Sequence, residues 1–252
     1  MKRIFIFPTI EEAKAFILTE PRDPVFVGGV GMAEIAAATL RAVKAKKPQL
    51  VVLAGIAGAC DRTLRRGEVV EVVCERIAGI PERYAREYET SGPDLGLPLA
   101  AGVTVNRSGD SLRETGRKQE QEQEFRETGS GIPEPETKSG DAVSAPAGQT
   151  LQPTGERADS PEQPSDMLSA IGDTDGQGSL PGIDGTDGQS ALPEIENMEG
   201  APFFAVCEAL GVACCQIRAV SNYVGEPFDR WAVGLAVENL TATLTQIFGN
   251  DE

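Results

Sequence analysis

The stretch Ile195-Glu-Asn-Met-Glu-Gly-Ala201 decides how this chain is interpreted, together with Gln216-Ile-Arg-Ala-Val-Ser-Asn-Tyr-Val-Gly225 shortly after it. The first stretch places Met198 and Glu199, an apolar surface and a carboxylate, at the start of a predicted helix. The second completes an apolar run that ends in a serine and an asparagine. Open α/β sheets bind ligands where buried strands end in polar groups, so these two stretches predict a binding pocket.

The side chains of these stretches indicate which ligand the pocket would take. The Glu199 carboxylate can accept two hydrogen bonds side by side, which suits a vicinal diol such as that of ribose. The amide of Asn222, which follows Ser221, both donates and accepts, which suits the edge of a heterocycle with a carbonyl and a ring nitrogen. Together these groups predict a nucleoside pocket. Taken singly, Met198 could equally be a core residue and Asn222 a capping or turn residue.

The composition changes sharply inside the chain. Residues 108–193 include 17 acidic and 6 basic residues, and therefore contribute −11 to the total charge of −16. Phe125 is the only aromatic residue in this segment, which is rich in Gly, Pro, Ser, Thr, Gln and Asp. Such a sequence buries too little apolar surface to offset a chain entropy of about 1–2 kcal/mol per residue. We therefore predict a largely disordered acidic insert at 108–193 that interrupts one folded domain formed by 1–107 and 194–252.

The charge and the reactive residues exclude several classes of function. An acidic chain is not suited to binding nucleic acid, which requires basic patches. The chain contains no histidine, which removes Ser-His-Asp and Cys-His catalysis and all His-based metal sites. The five cysteines form no CxxC pair and are expected to be reduced. No apolar run is long enough to span a membrane and no signal peptide is visible, so we expect a cytoplasmic protein without a membrane partner.

Apolar strands that alternate with helices dominate the two flanks of the insert. This alternation predicts a mainly parallel sheet that is covered by helices on both faces. Strands are predicted at residues 2–7, 24–28, 50–54, 67–73, 101–105 and 212–220, and helices at 11–18, 33–46, 198–210 and 231–248.

Two glycine-rich segments follow predicted strands. Gly28-Gly-Val-Gly31 could be a dinucleotide loop, but Glu34 breaks the GxGxxG spacing, and a tight turn that lines a pocket fits better. Gly55-Ile-Ala-Gly58 could expose backbone N–H groups to a ligand or could be a simple turn. Glu12, at the start of a predicted helix, could be an ordinary surface charge that interacts favourably with the helix dipole.

Taken together, these segments resemble the family of purine nucleoside phosphorylases and nucleosidases. The matching pieces are Gly-Val-Gly at 29–31, Ala-Gly-Ile-Ala-Gly at 54–58, Glu-Asn-Met-Glu-Gly at 196–200 and Ile-Arg-Ala-Val-Ser-Asn at 217–222. The resemblance implies a single-domain α/β fold, a three-layer sandwich with a central mixed sheet. It also implies a small-molecule nucleoside substrate, no cofactor and a homo-oligomer.

The resemblance also implies a role for each matching residue. Glu12 would position and deprotonate the attacking water, and Glu199 would hold the ribose hydroxyls. Met198 would pack under the sugar, and Asn222 would bind the purine with support from Ser221. The sugar side of the pocket would be lined by the backbone of Gly55, Ile56, Ala57 and Gly58.

The residue at position 222 distinguishes substrates within this family. The matching residue is an aspartate that protonates the purine N7 in the nucleosidases that act on methylthioadenosine and adenosylhomocysteine. Asn222 cannot serve as an acid, but it can donate to O6 and N7 of a 6-oxopurine. Ser-Asn-Tyr-Val at 221–224, with Trp231 and residues 235–240, is similar to enzymes that remove hypoxanthine from futalosine for menaquinone biosynthesis. Hydrolysis of a 6-oxopurine nucleoside is therefore expected.

Three alternatives remain open from the sequence. One is phosphorolysis of inosine or guanosine, which Arg residues aimed at the pocket and a Ser or Thr at position 56 would favour; Ile56 does not. A second is hydrolysis of methylthioadenosine or adenosylhomocysteine. The third, of another class, is a nucleoside-binding protein without catalysis.

Overall fold

The computed structural model describes residues 1–60, 62–113, 116 and 191–249 of the 252-residue chain. Most of the predicted acidic insert, residues 117–190, lies outside the described residues. The described residues all fall within one compact unit, which Met1–Gly129 and Ser190–Glu252 form together.

Within the described residues, eight strands, four α-helices and two short 3₁₀-helices, Glu82–Tyr84 and Phe228–Arg230, have defined ends. The strands are β1 Arg3–Phe7, β2 Val25–Val27, β3 Leu50–Ala59, β4 Val69–Ile77, β5 Glu87–Glu89, β6 Leu99–Thr104, β7 Glu194–Asn197 and β8 Ala213–Tyr223. The helices are α1 Ile10–Ile17, α2 Met32–Lys46, α3 Gly200–Ala209 and α4 Val233–Phe248. A further helical segment begins at Asp110.

The strands form one mixed sheet, part of which closes on itself. Its order is β2-β1-β3-β7-β6-β4-β5, and β8 pairs with both β3 and β4. The pairs β1·β2, β1·β3, β3·β8, β4·β6 and β6·β7 are parallel, while β3·β7, β4·β5 and β4·β8 are antiparallel. Five strands pair in a closed ring, in the order β3, β8, β4, β6, β7 and back to β3. This part of the sheet therefore curls on itself.

The helices cover both faces of the sheet, as alternation along β1 illustrates. Phe5 and Phe7 pack in a core with Phe16 of α1 and apolar residues of α4. Ile4 and Ile6 point to the other face, into a core with residues of α2 and α3. Because successive side chains of a strand point to opposite faces, a fully apolar β1 is buried between two helical layers. The predicted three-layer α/β fold with a mixed sheet is thereby confirmed.

Several predicted element boundaries were wrong. Gly55–Gly58 is not a turn after a strand, because β3 continues through it to Ala59. Strand β8 likewise continues through Ser221 and Asn222 to Tyr223. Residues 194–197 form β7 and were not predicted as a strand, because their acidic sequence lacks strand character and long-range pairing with β3 and β6 determines their conformation.

A β-bulge interrupts the long β3·β8 pairing near its end. Ala57 pairs with Val220, but Gly58 pairs with Asn222, so Ser221 is the extra residue of the bulge. A bulge changes the direction in which neighbouring side chains point. Here it allows two consecutive side chains, those of Ser221 and Asn222, to reach the same cavity.

No helix in the described part of the chain is long and apolar enough to cross a membrane.

Candidate active site

A cavity of about 430 Å³ lies where β3, β7 and β8 end and α1 and α3 begin. This volume is in the range of about 300–1,000 Å³ that small-molecule sites occupy. All of the predicted site residues except Gly55 line it: Glu12, Ile56, Ala57, Gly58, Met198, Glu199, Ser221 and Asn222. The described lining includes no lysine or arginine.

Glu12 is held by the first turn of its own helix and by β3. Thr9 caps α1: its hydroxyl accepts from the Glu12 N–H at 3.2 Å and donates to Glu12 Oε2 at 2.6 Å. The Thr9 N–H also donates to Oε2, at 3.1 Å, which completes a capping box. The Ile56 N–H donates to Glu12 Oε1 at 2.8 Å. The carboxylate therefore has a defined position at the cavity wall.

Glu12 was expected at an element end outside the core, yet only 6 % of it is exposed. This burial raises the pKa of Glu12 above its ordinary value, because the charged form loses hydration. Hydrogen bonds from Thr9 and Ile56 and the positive charge of Arg218 lower the pKa, and the negative charge of Glu199 raises it further. The result is a carboxylate that accepts a proton more readily than an exposed glutamate does.

Glu199, the N-cap residue of α3, is also buried, with 4 % exposed. Its Oε1 accepts from the Gly31 N–H at 3.1 Å. Its Oε2 accepts from Arg218 Nη2 at 3.2 Å and from the Met198 N–H at 3.3 Å. The glycine-rich segment before α2 thus supplies an N–H group to a carboxylate of the protein itself. Gly31 has a φ of +93°, a conformation that favours glycine.

Arg218 was not assigned a role from the sequence, although it organises the site. It lies in β8 and is fully buried. Besides Glu199, it donates to Asn197 Oδ1 at 3.3 Å and to the Ile56 carbonyl oxygen at 3.4 Å. The signal in the sequence was an arginine in an otherwise apolar strand, since a buried charge requires a partner.

Gly55 leaves room for these charged groups and is not itself part of the described cavity lining. A Cβ at this position would lie 2.6 Å from Arg218 Nη1 and 2.9 Å from Glu12 Oε1. Both separations are too short for any side chain to fit without displacing one of the two residues. Gly55 therefore leaves the space that these two side chains occupy, and contact between its backbone and a ligand stays a prediction.

Ser221 and Asn222 present an oriented amide to the cavity. The Ser221 hydroxyl lies 2.7 Å from Asn222 Oδ1 and 3.2 Å from the Ala57 carbonyl oxygen, and can donate to either. Asn222 Nδ2 donates to the Tyr223 carbonyl oxygen at 3.0 Å. Since an amide nitrogen carries two hydrogens, Nδ2 retains one for a ligand.

Two aromatic rings after β8 form part of the cavity wall. Phe228 and Trp231 line it with their ring centroids 5.1 Å apart. The Trp231 indole N–H donates to the Glu226 carbonyl oxygen at 3.0 Å, which fixes that ring. Phe228 is 73 % exposed, so a ligand could cover apolar surface there. Trp231 was among the residues that resemble the family, whereas no sequence pattern pointed to Phe228.

The first residues of the predicted insert also belong to the wall of the cavity. Ser108 lines it, and Ser111 is buried. Glu196, another lining residue, accepts from the Gly109 N–H at 2.7 Å and from the Ser111 hydroxyl at 2.5 Å. Residues 108–113 therefore pack with the folded unit where the sequence placed the beginning of the insert.

This arrangement brings the buried carboxylates of Glu12 and Glu199 and the amide of Asn222 to one cavity, while the buried guanidinium of Arg218, outside the lining, is already engaged. Glu12 can accept a proton from water, and Glu199 can accept from hydroxyl groups. A cation that develops between them would be stabilised, because the two carboxylates outnumber Arg218.

The comparisons with known proteins agree with this fold. A family model described as the Phosphorylase superfamily matches residues 191–249, the segment that supplies β7, α3, β8 and α4. No curated protein sequence matches the chain significantly.

Among solved structures, the fold is similar to that of 5′-methylthioadenosine/S-adenosylhomocysteine nucleosidase from Helicobacter pylori, with a TM-score of 0.57, 14 % identity, and 98 % of this chain and 97 % of that chain covered. It is similar to futalosine hydrolase of H. pylori strain 26695, with a TM-score of 0.56, 13 % identity and the same coverage. It is also similar to the nucleosidase from Neisseria meningitidis bound to methylthio-immucillin-A, with a TM-score of 0.57, 14 % identity and 98 % of both chains covered. The chain therefore has the α/β fold of the nucleoside phosphorylases and nucleosidases.

Proposed function

We propose that this protein is a nucleosidase, which hydrolyses the N-glycosidic bond of a purine nucleoside. The observation that carries the proposal is that Glu12 and Glu199, from opposite ends of the chain, are both buried and hydrogen-bonded at one cavity with Asn222. The similarity of the fold to nucleosidases supports it.

The proposed reaction follows from the chemistry of these groups. As the bond between C1′ of the sugar and N9 of the base breaks, its electron pair leaves with the base and the sugar acquires positive charge. Glu12 and Glu199 stabilise that charge, and Glu199 accepts hydrogen bonds from the ribose hydroxyls. Water attacks C1′ while Glu12 takes a proton from it. That proton is then transferred to the departing base and neutralises its negative charge. Positioned general bases of this kind contribute about 10²–10⁴-fold to a rate.

Asn222 supports a 6-oxopurine as the base. An amide cannot protonate N7, as the aspartate expected for adenine nucleosides would. Its remaining N–H can donate to O6 or N7 of hypoxanthine, and this bond strengthens as negative charge grows on the leaving base. We therefore propose futalosine as the substrate, with hypoxanthine and dehypoxanthinylfutalosine as products. One of the similar structures is a futalosine hydrolase.

The described cavity supports hydrolysis over phosphorolysis. A phosphate dianion requires positive side chains, and none lines the described cavity. Arg218, which is nearby, already donates to Glu199, to Asn197 and to the Ile56 carbonyl oxygen. A nucleoside-binding protein without catalysis remains the alternative of another class.

The deciding experiment is to measure hypoxanthine release from futalosine with and without phosphate, with inosine and methylthioadenosine in parallel. Release from futalosine that does not depend on phosphate is the expected result. Release only with phosphate would assign the protein to phosphorolysis, and release of adenine from methylthioadenosine alone would assign it to the adenine nucleosidases. Hypoxanthine binding without turnover of any substrate would indicate a binding protein. Sedimentation would test the expected homo-oligomer.

A further inference from the structure

Another buried carboxylate, that of Glu75 in β4, lies behind the cavity and has no part in the reaction described above. It is fully buried and is not among the lining residues. Its Oε1 accepts from Asn197 Nδ2 and, at 2.9 Å, from Gln216 Nε2. Its Oε2 accepts from the Thr104 hydroxyl at 2.8 Å. Three side chains from three different strands therefore donate to one carboxylate.

The backbone around this carboxylate is built to admit it. Gly102 of β6 and Gly200, the first residue of α3, both face Glu75, and a Cβ at either position would collide with its carboxylate. Two glycines in different elements thus leave the space that the Glu75 carboxylate occupies. A buried carboxylate loses its hydration, so an enclosure with matched donors indicates a role that an apolar residue could not fill.

Asn197 connects Glu75 to the cavity. While its Nδ2 donates to Glu75, its Oδ1 accepts from the Glu199 N–H at 3.0 Å and the Gly200 N–H at 2.7 Å. The same oxygen accepts from Arg218 Nη2 at 3.3 Å. The opposite orientation of the amide would place its NH₂ group against three donors and its oxygen against the Glu75 carboxylate. Glu75 and the three donors to Oδ1 therefore set together which way the Asn197 amide faces.

We propose that Glu75 is a positioning residue for the nucleosidase reaction, which acts through Asn197 on the backbone of Glu199 and on Arg218. This inference rests on the proposed function. Loss of the Glu75 acceptor leaves Asn197 Nδ2 without its partner, so the amide holds the Glu199 N–H less firmly, and likewise Arg218, which is one of the donors to the Glu199 carboxylate. The amide of Asn222, which is held by Ser221 and Tyr223, keeps its own contacts.

The test uses Glu75→Met, which has a similar volume but no acceptor, and Glu75→Gln, which keeps one. A glutamine can accept from Asn197 and Gln216 with its oxygen and donate to the Thr104 hydroxyl with its nitrogen. The matched control is Glu71→Met on the same strand, because Glu71 is also buried but accepts from the Leu95 N–H, away from the cavity. The measurements are kcat/KM for futalosine and the inhibition constant of hypoxanthine.

We expect Glu75→Met to lower kcat/KM about 10- to 100-fold, as leaving buried donors without an acceptor does. The inhibition constant of hypoxanthine stays within about 3-fold, since the base is bound through Asn222. Glu75→Gln and Glu71→Met keep kcat/KM within about 3-fold of the wild type. A purely structural role of Glu75 would instead change nucleoside turnover and base binding together.

Four results would overturn the inference while leaving the proposed function intact: unchanged kcat/KM in Glu75→Met, a parallel loss of hypoxanthine binding, an equal loss in Glu71→Met, or an equal loss in Glu75→Gln. Inactive wild-type protein would overturn both proposals. If Glu75→Met does not fold, Asn197→Ser breaks the same connection and is expected to show the same selective loss. Normal kcat/KM in that variant would contradict the inference.

Discussion

The carboxylates and the amide of this cavity are held in place in different ways. Glu199 is fixed by the Gly31 N–H at the start of α2, which is far away in the sequence. It is also fixed by Arg218, which belongs to a different element, strand β8. Asn222, in contrast, is fixed by Ser221 and Tyr223, its two neighbours in the chain. The nearby aromatic wall, Phe228 and Trp231, belongs to the same short segment.

This difference shows which part of the site could change independently. The Glu199 carboxylate takes its partners from several elements, so its replacement disturbs the fold as well as the chemistry. A neutral amide with local partners can be exchanged with less effect on its surroundings. The proposed recognition of the base is therefore easier to alter than the proposed recognition of the sugar.

Replacement of Glu12 by glutamine is expected to have the largest effect. Glutamine keeps the size of the side chain, and its single amide oxygen can accept either from Thr9 or from Ile56, but not from both, and it cannot take a proton from water. We expect kcat to fall by about 10²–10⁴-fold while the protein still folds. Glu34→Gln, at the first turn of α2 and outside the described lining, is the matched control. Turnover near the wild-type rate in Glu12→Gln would remove Glu12 from the role of base.

Replacement of Glu199 by glutamine should affect both activity and stability, and so sharpen the contrast between the two carboxylates. Both residues were expected at element ends outside the core, but Glu199 is ion-paired with a fully buried arginine. We expect about a 10²-fold loss in kcat/KM and a loss of about 2 kcal/mol in the free energy of unfolding, because Arg218 loses its charged partner. Urea denaturation measures the second quantity, and an unchanged midpoint would contradict it.

Replacement of Asn222 by aspartate tests the other side of the comparison. The Ser221 hydroxyl can donate to an aspartate as it does to the asparagine, but the bond to the Tyr223 carbonyl oxygen needs the protonated acid, so we expect the protein to fold with a small loss of stability. An aspartic acid can protonate N7, and we expect the ratio of kcat/KM for methylthioadenosine to that for futalosine to rise about 10-fold or more. Asn239→Asp in α4, outside the described lining, controls for the added charge. An unchanged ratio would show that position 222 does not select the base.

The pH dependence of stability should report the buried charge behind the site. Burial raises the pKa of Glu75 to about 7, from 4.5 in the unfolded chain, and hydrogen bonds from Asn197 and Thr104 only partly oppose this. The folded state thus binds this proton more tightly, so the stabilisation is complete below pH 4.5 and is lost as the pH rises through about 7. Between pH 5 and pH 8, the free energy of unfolding should decrease less in Glu75→Gln than in the wild type. The difference between the two decreases should be roughly 3 kcal/mol at most. Equal decreases in both proteins would show that Glu75 does not titrate in this range.

Deletion of residues 128–190 should have the smallest effect and tests the proposed division of the chain. Every hydrogen bond described for the site joins residues within 1–113 and 191–249. We expect the melting temperature to change by no more than about 2 °C, which corresponds to at most about 1 kcal/mol. A large decrease would show that the deleted residues stabilise the folded unit.

Local patterns were enough to predict much of the fold and part of the site. The alternation of apolar strands and helices predicted the layers, and Glu12 was predicted at a helix start, where the structure shows a capping box with Thr9. Strand β7 was missed, because its residues become a strand only through pairing with β3 and β6. The bulge at Ser221 was also invisible, since it exists only relative to the register of β3.

The sequence by itself determined which chemical groups are available, namely two glutamates at helix starts, an asparagine after an apolar strand, and no histidine. Only the tertiary structure decided how they are held: Arg218 against Glu199, the Gly31 N–H on the same carboxylate, and Glu75 behind Asn197. The physical reason is the separation in sequence between the residues that interact. Helix caps and strand alternation depend on residues a few positions apart, whereas a buried charge finds its partners across the sheet, at distances in the sequence that no local pattern records.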